Sequence, residues 1–101
     1  MHTNQLSRSQ FEATLATPME NVTLTAGPTA DIWPYVAQLV TDGLVLPLVY
    51  ENRLVEKVYR NRADAIDQVL LPTPRKNEFV VILVKATAHE IYGHYLLDMN
   101  E

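Results

Sequence analysis

The sequence predicts an α+β domain, with an antiparallel sheet of about five strands, two main helices packed against it and a short N-terminal helix. Three observations lead there. An unbroken apolar run, Phe79-Val80-Val81-Ile82-Leu83-Val84, is followed after a short polar break by the alternating residues 91–97, which is the pattern of a hairpin. Residues 21–26 alternate Val22 and Leu24 with polar neighbours, the period of a half-buried strand. Ile32, Tyr35, Val36, Leu39 and Val40 recur at helical spacing and form one apolar stripe.

Taken in order, residues 1–8 are expected to be disordered. Ser9-Gln10-Phe11-Glu12 then matches a capping box, opening a short helix that shares Phe11 and Leu15 on one face and stops at Pro18. The strand at 21–26 ends at Gly27-Pro28. The main helix is capped by Thr29 or Asp31, tolerates Pro34 in its first turn and closes at Asp42-Gly43. Residues 44–50 read as a strand, and Pro47, which has no N–H to give a ladder, places it at an edge or bulge. A turn at Glu51-Asn52 leads into an antiparallel strand over 53–60. Asn61 caps a third helix whose buried stripe is Ala63, Ile66, Val69 and Leu70, and Pro72 and Pro74 end it. The closing hairpin constrains the architecture most, because a strand apolar on both faces must be covered on both sides. Either the helices are split between the faces or a second copy of the chain covers one of them.

Composition bounds the function. A chain of 101 residues, 48% hydrophobic and 20% charged, fits one ordinary folded domain spanning 1–101. There is no cysteine, which removes disulfides, thiolate nucleophiles and Cys-based metal sites and suits a reducing compartment. No apolar run reaches the roughly 20 residues needed to span a bilayer, and 1–17 lacks a signal core, so a cytoplasmic protein without membrane partners is expected. The net charge of −4 is uneven: residues 1–52 carry −4 and residues 53–76 carry +3. That local basic band, with Arg53, Lys57, Arg60 and Arg62, could meet a small anionic ligand or an acidic partner, while the acidic total disfavours nucleic acid.

Chemistry is sparse. His89-Glu90-Ile91-Tyr92-Gly93-His94 is a near miss to the helical zinc-protease motif, which needs histidines four apart. Five apart, they diverge by about 140° on a helix and lie on opposite faces of a strand. No metal and no cofactor are therefore expected. Gly27, Gly43 and Gly93 are isolated, so no phosphate loop forms, and Ser7 and Ser9 lie in no nucleophile elbow. Asp64 and Asp67 are neighbours on the predicted third helix, where a solvent-facing position fits them better than an acid–base pair. The weak catalytic candidates are His94 and Glu90, sharing a strand face and acting as general acid and base with an arginine such as Arg60. Gly93 marks a bulge or a close approach. Strand alternation puts Tyr92, His94 and Leu96 on one face, which with Trp33, Tyr59 and Arg60 makes the candidate binding or interface set. The leading expectation is a small non-catalytic binding or interaction module acting as a homodimer. A small enzyme built on His94 and Glu90 is the first alternative, and nucleic-acid contact through the basic band is the second.

Overall fold

A computed structural model of the chain describes residues 5–15, 19–22, 31–61, 66–85 and 90–100, with 12–15, 19–22, 60 and 61 described by backbone alone. The elements are β1 (Gln5–Ser7), α1 (Arg8–Leu15), β2 (Met19–Val22), α2 (Trp33–Thr41), α3 (Pro47–Asn52), β3 (Lys57–Asn61), β4 (Ile66–Pro72), β5 (Glu78–Lys85) and β6 (Glu90–Asp98). They form a small α+β fold around one sheet in the order β1-β6-β5-β4-β3-β2. Strands β2 to β6 pair antiparallel throughout. The sheet as a whole is mixed, because β1 adds a sixth strand parallel to β6, pairing Gln5, Leu6 and Ser7 with Leu96, Leu97 and Asp98.

Residues 5–7, expected to be disordered, are thus ordered by pairing. The same segment starts α1 two residues earlier than the sequence suggested. The Gln10 side-chain oxygen accepts from the Ser7 N–H (2.8 Å), and the Gln10 N–H donates to the Ser7 hydroxyl (3.3 Å). This is a reciprocal capping box on Ser7 rather than on Ser9. Helix α2 begins with Pro34 in its first turn, and the Asp31 carboxylate accepts from the Trp33 N–H (3.1 Å). It ends in a Schellman motif: the Gly43 N–H reaches the Val40 carbonyl and the Leu44 N–H reaches that of Leu39, both at 3.0 Å. Gly43 has φ +79°, the left-handed geometry this closure demands.

Two expected elements change type. Residues 47–52 form helix α3, not a strand. Pro47 occupies its first turn, where a missing N–H costs nothing because first-turn donors have no partner within the helix. Residues 66–72 form strand β4, not a helix. Ile66, Val69 and Leu70 satisfy a helical period, yet Asp67 through Leu71 are all buried, so this strand is covered on both faces. Residues 23–30, 62–65 and 86–89, where parts of the expected strand at 21–26, third helix and hairpin turn fall, lie outside the described residues.

Two cores lie on opposite faces of the sheet. On one face, Ile32, Val36 and Leu39 of the α2 region and Val45 and Val49 of the α3 region pack with Val58, Val69, Leu71, Val80, Ile82 and Val84. On the other, Phe11 of α1 packs with Leu70, Val81, Tyr95 and Leu97. Burial of each such aliphatic side chain contributes about 1.5–3 kcal/mol, so these clusters fix where the helices sit. The two-sided apolar strand β5 is therefore covered within a single chain, by helices split between the faces.

Candidate functional site

The polar group that the fold places most distinctively is His94. It lies in the middle of β6, opposite Ile82 of β5, on the face covered by α2. From α2, the Tyr35 hydroxyl lies 2.6 Å from His94 Nδ1, and the two rings meet edge to face with centroids 5.6 Å apart. Half-burial of the ring holds His94 below the ordinary imidazole range, and the nearby Asp42 carboxylate offsets part of that effect. Burial also raises the Tyr35 phenol above its ordinary value. Near neutral pH the imidazole is thus uncharged and the phenol retains its proton. Either partner can donate in this bond, according to which ring nitrogen carries the imidazole proton.

Glu90 does not join this pair. It is exposed at the start of β6 opposite Lys85, and among the described residues no hydrogen bond or ion pair links it to His94. Four residues apart on a strand they are about 13 Å from each other, and a β-bulge also puts them on different faces. Leu83 pairs with Gly93 and Val84 with Ile91, leaving Tyr92 as the extra residue. Gly93, with φ +149°, supplies the backbone geometry. The bulge breaks the alternation on which the Tyr92-His94-Leu96 face depended. Ile91 and Leu96 pack against the helix-covered core, whereas Tyr92 is 52% exposed with the Lys85 ammonium 6.0 Å from its ring. A bulge beside Gly93 was legible in the sequence. Its consequence for the side-chain faces was not.

Trp33 belongs to a second cluster. The Arg53 guanidinium lies over both the Trp33 ring (5.0 Å) and the Tyr50 ring (4.6 Å), and its Nη1 donates to the Tyr50 carbonyl (3.1 Å). Arg53 closes α3 in the left-handed conformation (φ 52°), which costs a non-glycine residue about 1–2 kcal/mol, and the two ring contacts offset that cost. In the same segment, Leu46, Leu48 and Leu54 are exposed by 43%, 55% and 40%. Sequence reasoning singled out Trp33 but missed these partners, because 44–50 was read as a strand. Tyr59 faces the opposite side of the sheet, where it packs edge to face on Phe11 (5.9 Å) beneath the Lys57 ammonium (5.2 Å).

The basic band does not act as one surface among the described side chains. Arg53 is stacked on aromatic rings, Lys57 lies over Tyr59 on the other side of the sheet, and Arg75 bridges Glu78 at 3.8 Å. Arg60 is opposite Asp67 in the backbone ladder of β3 and β4, and Asp67, expected to face solvent on a helix, is fully buried in this strand. Arg62, Asp64, His89 and the side chain of Arg60 lie outside the described residues. A cleft of about 390 Å³ opens beside Leu96, lined by Gln5, Gly43, Leu44, Thr73, Arg75 and Glu78 among others. A second, of about 470 Å³, is bounded by Arg8, Asn77, Phe79, Met99 and Asn100, and His94 lines neither.

No family model matches this chain, and neither the curated proteins nor the solved structures contain a significant match. No described helix is long and apolar enough to cross a membrane.

Proposed function

We propose that the chain is a small non-catalytic binding module that acts as a homodimer through α3 and its flanks. The observation that carries this reading is the exposure of Leu46, Leu48 and Leu54, all within α3 or two residues of it, in the segment that also supplies Tyr50 and Arg53 to the stack on Trp33. Large apolar side chains exposed in one short segment favour a partner, and Trp, Tyr and Arg are the residues that most often anchor one. Self-association was first expected from the two-sided strand β5; since that strand is covered within one chain, the support now comes from α3. A cytoplasmic location belongs to the same proposal, supported by a chain without cysteine.

The test is sedimentation equilibrium over a wide concentration range, on the wild type and on Leu48→Asp. A wild type that dimerises and a Leu48→Asp variant that stays monomeric with an unchanged circular-dichroism spectrum are the expected results. A wild type that is monomeric at every concentration overturns the homodimer.

A second reading, a small enzyme with His94 as general base, draws on one observation. A neutral, half-buried imidazole is held at Nδ1 by a phenol, which fixes the orientation of the ring. Against it stands the separation of Glu90 from His94. Nucleic-acid contact ranks lower, because Arg53 and Lys57 are divided between the two sides of the sheet and stacked on rings, and Arg75 bridges Glu78.

A further inference from the structure

The cleft beside Leu96 is built from separate stretches of chain and is lined by both apolar and charged side chains. Leu44, between α2 and α3, and Leu96 of β6 sit at the margin of the helix-covered core. Pro74, Arg75 and Glu78 come from the turn between β4 and β5 and the first residue of β5. That turn is pinned by Thr73. Its hydroxyl bonds the Arg75 and Glu78 carbonyls (3.2 and 3.1 Å) and accepts from the Arg75 N–H (3.1 Å). The Thr73 N–H also reaches the Glu78 carbonyl at 3.3 Å. Arg75 and Glu78 therefore stand on a fixed backbone. The volume of about 390 Å³ is ample for a small molecule.

Glu78 is unusual among these residues. Its side chain is only 15% exposed, yet among the described residues its carboxylate accepts no hydrogen bond. Its described partner is the Arg75 guanidinium, which at 3.8 Å is too far for a hydrogen bond and is itself 83% exposed. A carboxylate so withdrawn from water ordinarily accepts from several donors. The guanidinium likewise donates to no described acceptor, although its fork suits a carboxylate.

We propose that this cleft binds a free α-amino acid with an apolar side chain. Glu78 accepts from the ligand ammonium, which brings three donors, and Arg75 takes the ligand carboxylate. The ligand side chain lies against Leu44, Pro74 and Leu96. Opposite charges on neighbouring residues match a zwitterion, whose own two charged groups are attached to one carbon. A simple anion meets Glu78 and a simple cation meets Arg75, so each is disfavoured by a like charge. The inference goes beyond the interface reading, since it uses neither α3 nor a second copy.

Nuclear magnetic resonance on the full chain, titrated with L-leucine, tests it. Saturable shifts of the Leu44, Arg75 and Glu78 backbone amides are expected. Leucinamide keeps the ammonium alone and stands for a peptide N-terminus, whereas N-acetylleucine keeps the carboxylate alone. Each should bind at least about tenfold more weakly than leucine. Glu78→Gln and Arg75→Ala should weaken leucine binding by a similar factor while leaving the remaining resonances in place. The proposal is overturned if leucine gives no saturable shift up to its solubility. It is equally overturned if either analogue binds as tightly as leucine, or if Glu78→Gln binds leucine unchanged.

Discussion

The Tyr95 hydroxyl donates to Gln68 Oε1 at 2.5 Å, between β6 and β4, in a core otherwise made of Phe11, Leu70, Val81 and Leu97. Tyr95 is 7% and Gln68 8% exposed, so neither finds water as a ready substitute. Burial pushes the Tyr95 phenol far above its ordinary value, so it remains a neutral donor throughout the range in which the protein is folded. Removing that donor alone strands the amide oxygen. Tyr95→Phe should therefore cost about 1–3 kcal/mol, read as a lower denaturant midpoint. The double variant Tyr95→Phe with Gln68→Leu, which removes both partners, should recover most of the loss. A double variant no more stable than the single one would show that the hydroxyl's role is packing rather than bonding.

Among the elements, β6 shows how one backbone irregularity reassigns side chains. Gly93 has φ +149°, yet a Cβ built there would meet nothing within 4 Å. Its substitution is opposed by backbone geometry and not by crowding. Gly93→Ala should destabilise by about 1–3 kcal/mol while leaving the cores intact, and the bulge should relax toward regular pairing. The checks are a denaturation midpoint and the amide exchange of Ile91 and Tyr92; an unchanged midpoint would mean that the strand adopts this geometry without strain. The misread elements have equally local causes. Val69-Leu70-Leu71 and Leu44-Val45-Leu46 are apolar runs too short for their period to separate helix from strand. For the first, pairing with β3 and β5 decided the type. For the second, Pro47 decided it, since a proline suits a helix's first turn as well as a sheet edge. Where local signals agreed, as with the stripe of α2 closed by Asp42-Gly43, the sequence was read correctly.

For the molecule as a whole, His94 makes stability depend on pH. Its folded-state value lies below the 6.5 of a free imidazole, so the unfolded chain binds that proton more tightly than the folded one. The stabilisation is fully present above about pH 6.5 and is lost as pH falls through the folded-state value. Wild type should therefore lose thermal stability between neutral and mildly acidic pH, before ordinary carboxylates titrate. His94→Gln should show a flatter profile across that interval. Equal slopes in the two proteins would assign the acid sensitivity to other groups.

The sequence alone determined the α+β class, the main helix over residues 33–41, the antiparallel hairpin of β5 and β6, and the need to cover β5 on both faces. Each of these rests on a period or a burial requirement that neighbouring residues express by themselves. The tertiary structure decided what depends on distant partners: the parallel pairing of β1 with β6, the strand identity of β4 and the division of helices between the two faces. It also decided the candidate site. Glu90 was expected on the face of His94 because strand residues alternate; four residues of strand separate them by about 13 Å, and the bulge at Gly93 takes Glu90 off that face as well. Tyr35, fifty-nine residues away in sequence, became the partner instead, because packing α2 on the sheet brings its hydroxyl to the imidazole.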